Sequence, residues 1–126
     1  MKENNQQIHA LHSHIGKLFY AITAADGIIR PEEYNTFKNI IKKEVFGENI
    51  NHELILDSYN KLYLDDANAE ASFDSFITFI EKNKPLFTEE LKSLILKVSG
   101  ILARSVNNVN KSELVLIAKL SLAFKN

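Results

Sequence analysis

The chain has 126 residues, 45% apolar and 25% charged, the composition of one globular domain that buries roughly two thirds of its unfolded surface. Its formal net charge is −1, from 15 Lys and Arg against 16 Asp and Glu, which argues against nucleic acid or an anionic membrane as the main partner. The chain has no cysteine, which excludes disulfides, thiolate metal sites and cysteine nucleophiles.

The N-terminal segment, residues 1–14, is polar and lacks the apolar core of a signal peptide. The longest apolar stretches, such as residues 114–118, are far too short to span a membrane. We therefore expect a cytoplasmic protein of bacterial type that does not insert into a membrane.

Apolar residues recur at steps of three and four in six segments, and this period predicts six helices. A strand pattern of alternating residues is missing from the sequence, so the predicted fold is a single all-α helical bundle. In chain order the predicted helices begin near Ile8, follow Pro31 to about residue 46, span about 52–64 and 72–84, open at Thr88, and span Ser112 to Phe124.

Local signals predict where the later helices begin and end. Residues 65–72 are acidic and small, which predicts a loop, and Ser72 can cap the helix that follows. Pro85 ends that helix, and Thr88 followed by two glutamates opens the next one. The last helix is apolar around most of its circumference, which is typical of a helix that is central in a bundle or covered by a partner.

The sequence repeats a helix–turn–helix pattern with an offset of 80 residues. The repeat predicts two pseudo-symmetric units, about 8–46 and 88–126, joined by the two middle helices. If the units pack as partners, their turns can lie close together. The corresponding residues are Leu18 and Val98, Ile22 and Leu102, Ile29 and Val109, Glu33 and Glu113, Phe37 and Ile117, and Ile40 and Leu120.

The first turn is built from residues with clear backbone roles. Gly27 suits a position past a helix end that needs positive φ. Ile29 would insert into the core, and Pro31 fits the first position of the next helix, where its missing N–H costs nothing. Glu33 then falls at the third helical position and can reach back to the capping amide. Glu113 has the corresponding place in the second copy, so both glutamates have a complete structural interpretation.

The same turn also fits a site for a hard divalent cation. Asp26, Glu32 and Glu33 lie within eight residues of one another, and carboxylate oxygens suit Ca²⁺, Mg²⁺ or Mn²⁺. The turn is too short for an EF-hand. In the second copy Val106 stands where Asp26 would match, so the pattern favours a site centred on the first turn, with Glu113 as a further ligand if the turns meet. The helix-capping and the cation-binding interpretations both remain open.

At these residues the chain resembles the TerB-like family of bacterial tellurite-resistance clusters, which has a relative preceding the J-domain of a membrane-anchored DnaJ-type co-chaperone. The similarity rests on Ala25-Asp26-Gly27, Ile29 and Pro31-Glu32-Glu33, with a weaker copy from Ile101 to Leu120. It implies an all-α fold and a cytoplasmic, non-enzymatic accessory role. It also implies metal binding through Asp26, Glu33 and Glu113, and a link to stress responses.

Other candidate groups favour plain surface roles. His9 and His12 share a helical face, but solvent-exposed histidines are a better interpretation than a zinc site. The acidic residues from Asp57 to Asp74 fit a solvated surface better than a di-metal centre. The chain carries no recognised catalytic motif, and we therefore expect no enzyme.

The alternative to cation binding is a purely structural module for protein–protein interaction. In that case the turn carboxylates are helix caps, and function lies on an exposed patch of the last helix. Both hypotheses expect an unidentified protein partner, and a protein that is a monomer or a weak homodimer.

Overall fold

The computed structural model of the protein describes residues 5–25, 31–43, 51–104 and 111–125. Within these ranges the chain forms six α-helices and no strand, which confirms the predicted all-α bundle. The helices are α1 (Asn5–Thr23), α2 (Pro31–Lys43), α3 (His52–Leu64), α4 (Ala69–Lys82), α5 (Glu89–Arg104) and α6 (Lys111–Lys125), and a short 3₁₀-helix (Lys84–Leu86) follows α4.

Polar side chains open the helices in the middle of the chain. The Asn51 side chain accepts hydrogen bonds from the N–H groups of Glu53 and Leu54, and so caps α3. Thr88 Oγ1 accepts from the Leu91 N–H at 3.1 Å and opens α5, as predicted. These bonds satisfy N–H groups that have no partner inside their own helix. The predicted bounds of α3 are confirmed.

The predicted start of α4 is wrong. The helix begins at Ala69, because the Asn68 side chain accepts from the Ala71 N–H at 2.8 Å and takes the capping position. Ser72 lies inside the helix and is buried, so it caps nothing. Asn and Ser are comparable caps, and alanine favours a helix, so the earlier cap adds another helical turn. Pro85 lies in the 3₁₀-helix that follows, which agrees with its predicted role as a breaker.

Helix α1 lies at the centre of the bundle. It packs most extensively against α3 and α4, and it also contacts α5 and α6. Its apolar residues recur at the three- and four-residue steps of a helical stripe, and Ile15, Leu18 and Ile22 have no exposed surface. The fully buried side chains with the largest volumes are Tyr59, Phe19, Phe37, Phe76, Ile15, Leu18, Ile22, Ile41, Ile55, Ile95, Leu102 and Leu120.

The crossing of α1 and α3 is especially close at Gly16. A Cβ atom added there would lie 2.7 Å from the Ile55 carbonyl oxygen and 2.7 Å from Ser58 Cβ, where ordinary contact begins at 3.4 Å. Ser58 Oγ donates to the Ser13 carbonyl oxygen at 2.7 Å, across the same crossing. Glycine is therefore required here by the approach of the two backbones.

Buried polar groups also join α1 to α3. His12 is 1% exposed, and its Nε2 accepts a hydrogen bond from the Asn51 N–H at 2.8 Å. Its Nδ1–H therefore donates to the Ile8 carbonyl oxygen, at 2.6 Å. At the other end of α1, the hydroxyl groups of Thr23 and Tyr59 lie 2.7 Å apart. These bonds compensate the burial of the polar groups.

The two helix–turn–helix units share their spacing and differ in packing. Helices α2 and α6 begin at residues 31 and 111, 80 residues apart as the repeat predicts. Helix α6 contacts α5, α4 and α1, whereas α2 contacts α3 and α5. The predicted approach of the two turns involves residues 26–30 and 105–110, which lie outside the described residues.

Candidate interaction surface

Helix α6 carries an apolar surface that the bundle leaves uncovered. Its residues Leu114, Val115 and Leu122 are 51%, 46% and 61% exposed, and Ala118 is exposed beside them. Ala118 lies four residues after Leu114 and three after Val115, and Leu122 lies four residues after Ala118, so these side chains form one stripe on the helix surface. The opposite side of α6 reaches the core through Leu120 and Phe124.

The charged side chains that the structure describes beside this stripe are basic, and the side chain of Glu113, which precedes Leu114, lies outside the described residues. Lys119 and Lys125 are the only charged residues from Leu114 to Lys125, and both are exposed. Lys119 lies four residues after Val115, and Lys125 lies three residues after Leu122, so both ammonium groups flank the stripe. We call Leu114, Val115, Ala118 and Leu122, with these two lysines, the α6 stripe.

The C-terminal end of α6 is held against the bundle. Lys92 of α5 donates from Nζ to the Phe124 carbonyl oxygen at 3.2 Å, and the rings of Phe87 and Phe124 lie 5.8 Å apart. Lys92 also forms an ion pair with Glu89 at 3.5 Å. A cation at the end of a helix satisfies a free carbonyl group and complements the helix dipole. The α6 stripe is therefore presented on an anchored helix.

A second exposed apolar surface lies where α3 ends. Leu64 is 80% exposed. Tyr63 is 39% exposed and has the largest side chain among the exposed apolar residues that the structure describes. The next two residues, Asp65 and Asp66, are also exposed. We call these four residues the α3–α4 corner. Its apolar centre is bordered by these two carboxylates and by the exposed Lys61 one helical turn earlier, so the charge beside it is negative on balance, opposite in sign to the lysines beside the α6 stripe.

An aromatic cluster packs against Tyr63 of the α3–α4 corner. The rings of Tyr34 and Tyr63 stack at 5.4 Å and 14°, and the Tyr34 hydroxyl donates to Asn60 Oδ1 at 2.7 Å. The ring of Tyr59 lies 6.0 Å from Tyr34 and 5.8 Å from Tyr20. All four tyrosines of the chain thus meet here, and their contacts restrain the exposed ring of Tyr63.

The buried hydroxyl of Tyr20 fixes the backbone of the corner. It donates to the Ala67 carbonyl oxygen at 2.6 Å. Burial, and secondarily the negative charge of Asp66, raises the pKa of Tyr20 above its ordinary value of 10.0. The hydroxyl therefore keeps the proton that it donates.

Asp65 and Asp66 are unfavourable residues for the C-terminal end of α3. Asp66 has φ 50°, and the Ala67 N–H donates to the Leu62 carbonyl oxygen at 3.0 Å, the pattern of a Schellman cap. Glycine is the usual residue at that left-handed position. Carboxylates are also unfavourable at a helix C-terminus, because the helix dipole is negative there. The same carboxylates lie just before Asn68, which caps α4, and negative charge is favourable at the N-terminus of that helix.

The acidic turn is described in part. Helix α2 begins at Pro31, as predicted, and both Pro31 and Glu32 are exposed. Glu33 and Glu113 are the third residues of α2 and α6, the predicted places, but their side chains lie outside the described part of the chain. Asp26, Gly27 and Ile29 also lie outside it. Among the described residues, no three His, Asp or Glu side chains are grouped as metal ligands would be.

The histidines of α1 have three different environments. His9 is exposed, as expected, and borders a shallow open depression with Gln6 and His14. His12 is buried and uses both ring nitrogens for backbone bonds, so the expectation that it is exposed is wrong. His14 stacks on Phe79 at 4.1 Å, and burial lowers its pKa below the ordinary 6.5. His9 and His12 therefore present no shared pair of free ligand atoms.

The predicted solvated acidic surface is exposed as expected. Its members are Asp57, Asp65, Asp66, Glu70 and Asp74. The exposure of Tyr63 was not predicted, because this residue belongs to the apolar pattern of α3. Leu64 lies outside that pattern, on the side of α3 opposite Ile55, and was not singled out as a surface residue. The α6 stripe had a signal, the apolar circumference of the last helix.

No family model, no curated protein and no solved structure matches this chain. The resemblance to the TerB-like family therefore stays a prediction, carried by the residues of the acidic turn. Within the described ranges, no helix combines the length and apolar character needed to cross a membrane.

Proposed function

We propose that this protein is a non-catalytic helical domain that binds another protein through the α6 stripe. The observation that supports this most directly is the exposure of Leu114, Val115 and Leu122 on a helix whose opposite side is anchored in the core. Contiguous exposed apolar surface on a folded domain is typical of a binding site.

The composition of the stripe specifies the chemistry of its partner. Leu114, Val115 and Leu122 lie along one side of α6. Such an arrangement favours a partner surface whose apolar side chains have a similar spacing, as on one face of a helix. Lys119 and Lys125 favour carboxylates beside that face. The expected partner surface therefore combines exposed apolar side chains with carboxylates, and an amphipathic helix is a suitable probe for it.

The size of the stripe indicates a moderate affinity. Its exposed apolar surface is on the order of 300 Å², the size of the largest patch on many monomers. A standard stable interface needs about 800 Å² from each partner. Contacts beyond the stripe are then required for tight binding, and the stripe alone fits a transient complex.

Binding of a designed peptide tests this proposal. The probe is a synthetic amphipathic helix with leucine on one face and glutamate on the other, and the comparison peptide carries lysine in place of each glutamate. We expect the acidic peptide to shift the NMR signals of Leu114, Val115 and Leu122, and the basic peptide to bind at least about tenfold more weakly.

Two variants serve as controls for this titration. Leu122→Asp places a carboxylate in the stripe and should abolish the shifts, whereas Thr78→Asp adds the same charge at an exposed position of α4 and should leave them intact. Equal binding of both peptides, or shifts that persist in Leu122→Asp, would contradict the proposal.

Cation binding at the acidic turn is a second candidate function. It is favoured by the start of α2 at Pro31, which leaves Glu32, one of the candidate ligands with Asp26 and Glu33, exposed in the first turn of that helix. Such a site would take Ca²⁺, Mg²⁺ or Mn²⁺ and would tie α1 to α2, so that the ion could alter how the domain presents its binding surfaces. Membership of the TerB-like family, a cytoplasmic location and a role in tellurite resistance or stress responses belong to this proposal through the resemblance.

Thermal unfolding of metal-stripped protein with each ion tests the cation site. An ion at ~100 times its dissociation constant should add about 2.7 kcal/mol to the free energy of unfolding. Asp26→Asn should remove the increase, and Asp57→Asn, which changes an exposed carboxylate on α3, should retain it. If no ion raises the melting temperature and Asp26→Asn is destabilised, the turn carboxylates are caps.

A further inference from the structure

We propose that the partner of the α6 stripe is the α3–α4 corner of a second copy of this chain, so that the protein associates head to tail. This inference rests on the proposed role of the α6 stripe as a binding face. It adds the identity of the partner and the surface on which the stripe docks.

The two surfaces are complementary in charge. The α6 stripe is flanked by Lys119 and Lys125 and includes no carboxylate from Leu114 to Lys125. The α3–α4 corner is flanked by Asp65 and Asp66, both exposed. Contact between unlike surfaces pairs ammonium groups with carboxylates on both sides of an apolar centre.

The apolar centres also match in kind. Leu64, with 80% of its surface exposed, is the most exposed of the large apolar side chains, and Tyr63 stands beside it. Leu122 and Leu114 are the corresponding projections of the α6 stripe, 61% and 51% exposed. Tyrosine held in place by its neighbours loses little entropy on binding, which makes Tyr63 a suitable anchor.

The acidic pair at the corner would contact the lysines of the α6 stripe. The carboxylates of Asp65 and Asp66 oppose the dipole of α3, and Asp66 occupies a left-handed position that glycine adopts more easily. The same pair precedes the N-terminus of α4, where negative charge is favourable, and both side chains are exposed. A basic surface docked at the corner would be attracted by both charges.

Like-with-like pairing is disfavoured by the same charges. Two α6 stripes face to face would bring lysines together, and two corners would bring aspartates together. The contact is therefore heterologous, with different surfaces on the two copies. Both surfaces can be used at once, since α6 packs on α5, α4 and α1 whereas α3 packs on α1 and α2. Association then continues beyond a dimer unless the chain of copies closes into a ring.

Sedimentation of the full chain over concentrations from about 10 µM to about 1 mM tests the inference, because small interfaces give affinities in this range. We expect the average mass to rise with concentration and the rise to weaken in high salt. Leu122→Asp and Leu64→Asp should each remove it, and their exposure in the wild type means that both variants should fold, as circular dichroism would verify. Thr78→Asp should associate like the wild type.

Mixing the two defective variants gives the sharper result. In the mixture, the intact corner of Leu122→Asp can bind the intact stripe of Leu64→Asp, while every other pairing includes a carboxylate in an apolar centre. We expect a one-to-one complex that does not grow further, with a dissociation constant at least about tenfold below the value for either variant alone.

Three outcomes would overturn the inference. One is a wild-type protein that is monomeric at the highest concentration. Another is association that Leu64→Asp leaves intact and Leu122→Asp removes, which retains the α6 stripe as a binding face but excludes the corner as its partner. The third is a mixture that stays monomeric. The peptide titration measures the proposed function separately, because it uses neither a second copy nor the corner.

Discussion

Helices α1 and α6 are both rich in apolar residues, and the fold uses them in opposite ways. Helix α1 lies at the centre of the bundle and buries even polar residues, such as His12 and Thr23. Helix α6 buries Leu120 and Phe124 but exposes Leu114, Val115 and Leu122. In α1 the polar groups are hydrogen-bonded across the interface with α3, whereas in α6 the apolar groups face outward.

The difference shows that the helices packed around a given helix determine which of its residues are buried and which are exposed. Helix α1 is covered by α3, α4, α5 and α6, and its residues from Leu11 to Thr23 are all buried or half-buried. Helix α6 has neighbours on one side. Burial of a polar residue is tolerated where a partner atom is available, and exposed apolar residues remain where no helix covers them.

The largest expected effect is a difference in stability between substitutions on the two faces of α6. Leu120 is fully buried and Leu122 is 61% exposed, two residues apart on one helix. We expect Leu120→Ala to lower the free energy of unfolding by about 2–5 kcal/mol, because a cavity remains in the core. Leu122→Ala should cost less than ~0.5 kcal/mol. Urea unfolding of both variants measures the contrast, and similar losses would mean that the two faces are not distinct.

The close crossing of α1 and α3 predicts that a single methyl group added at Gly16 lowers the free energy of unfolding. Gly16→Ala would place Cβ 2.7 Å from the Ile55 carbonyl oxygen, a backbone atom that cannot rotate away. Although alanine favours a helix over glycine, we expect a loss of about 1–3 kcal/mol from the forced separation of the helices. Chemical denaturation measures it, with Ser93→Ala at an exposed position of α5 as the control. A stabilised Gly16→Ala would show that α1 and α3 are not in this contact.

The buried and exposed histidines of α1 form a matched pair. His12→Leu would leave the Asn51 N–H without its acceptor, and we expect it to cost about 1–3 kcal/mol. His9→Leu, at an exposed position of the same helix, should change stability by less than ~0.5 kcal/mol. Thermal unfolding distinguishes them. Equal effects would contradict the buried hydrogen bond between α1 and the start of α3.

The smallest expected effect is a pH dependence from His14. Burial lowers its pKa in the folded protein below 6.5, so the unfolded chain binds a proton more readily. The contribution of His14 to stability is therefore fully present above pH 6.5 and is lost as the pH falls through the lowered pKa. His14→Phe retains a ring against Phe79 and does not titrate.

We expect the stability of the wild type to fall more than that of His14→Phe between about pH 7.5 and about pH 5. Urea unfolding at a series of pH values measures this difference, in which the other titrating groups cancel. Parallel curves for the two proteins would exclude a contribution from His14.

Much of the helical architecture could be predicted from periodicity and capping. The start of α2 at Pro31, the bounds of α3 and the opening of α5 by Thr88 agree with the structure. These features depend on residues close in sequence, which is why local patterns predict them. The start of α4 was wrong because Asn68 and Ser72 are both good caps, and the choice between them depended on the helix formed by the alanines.

The candidate surfaces could be predicted only in part. The apolar circumference of α6 fitted either a central helix or one covered by a partner, and the packing on α5, α4 and α1 decided that α1 is central and that one side of α6 is exposed. Tyr63 belongs to the apolar pattern of α3, and nothing in that pattern distinguished it from the buried Ile55, whereas Leu64 lies on the side of the helix opposite Ile55. The burial of His12 was unexpected, because its acceptor role requires the Asn51 N–H, 39 residues away along the chain.

The sequence by itself determined an all-α chain, the order of its six helices in the described ranges and the 80-residue spacing of α2 and α6, because helix formation follows local periodicity and local caps. Only the tertiary structure decided that α1 is central, that α6 exposes an apolar and basic stripe, and that the four tyrosines meet below an acidic corner. Burial and charge complementarity depend on which distant segments come together, and the packing of the helices determines this.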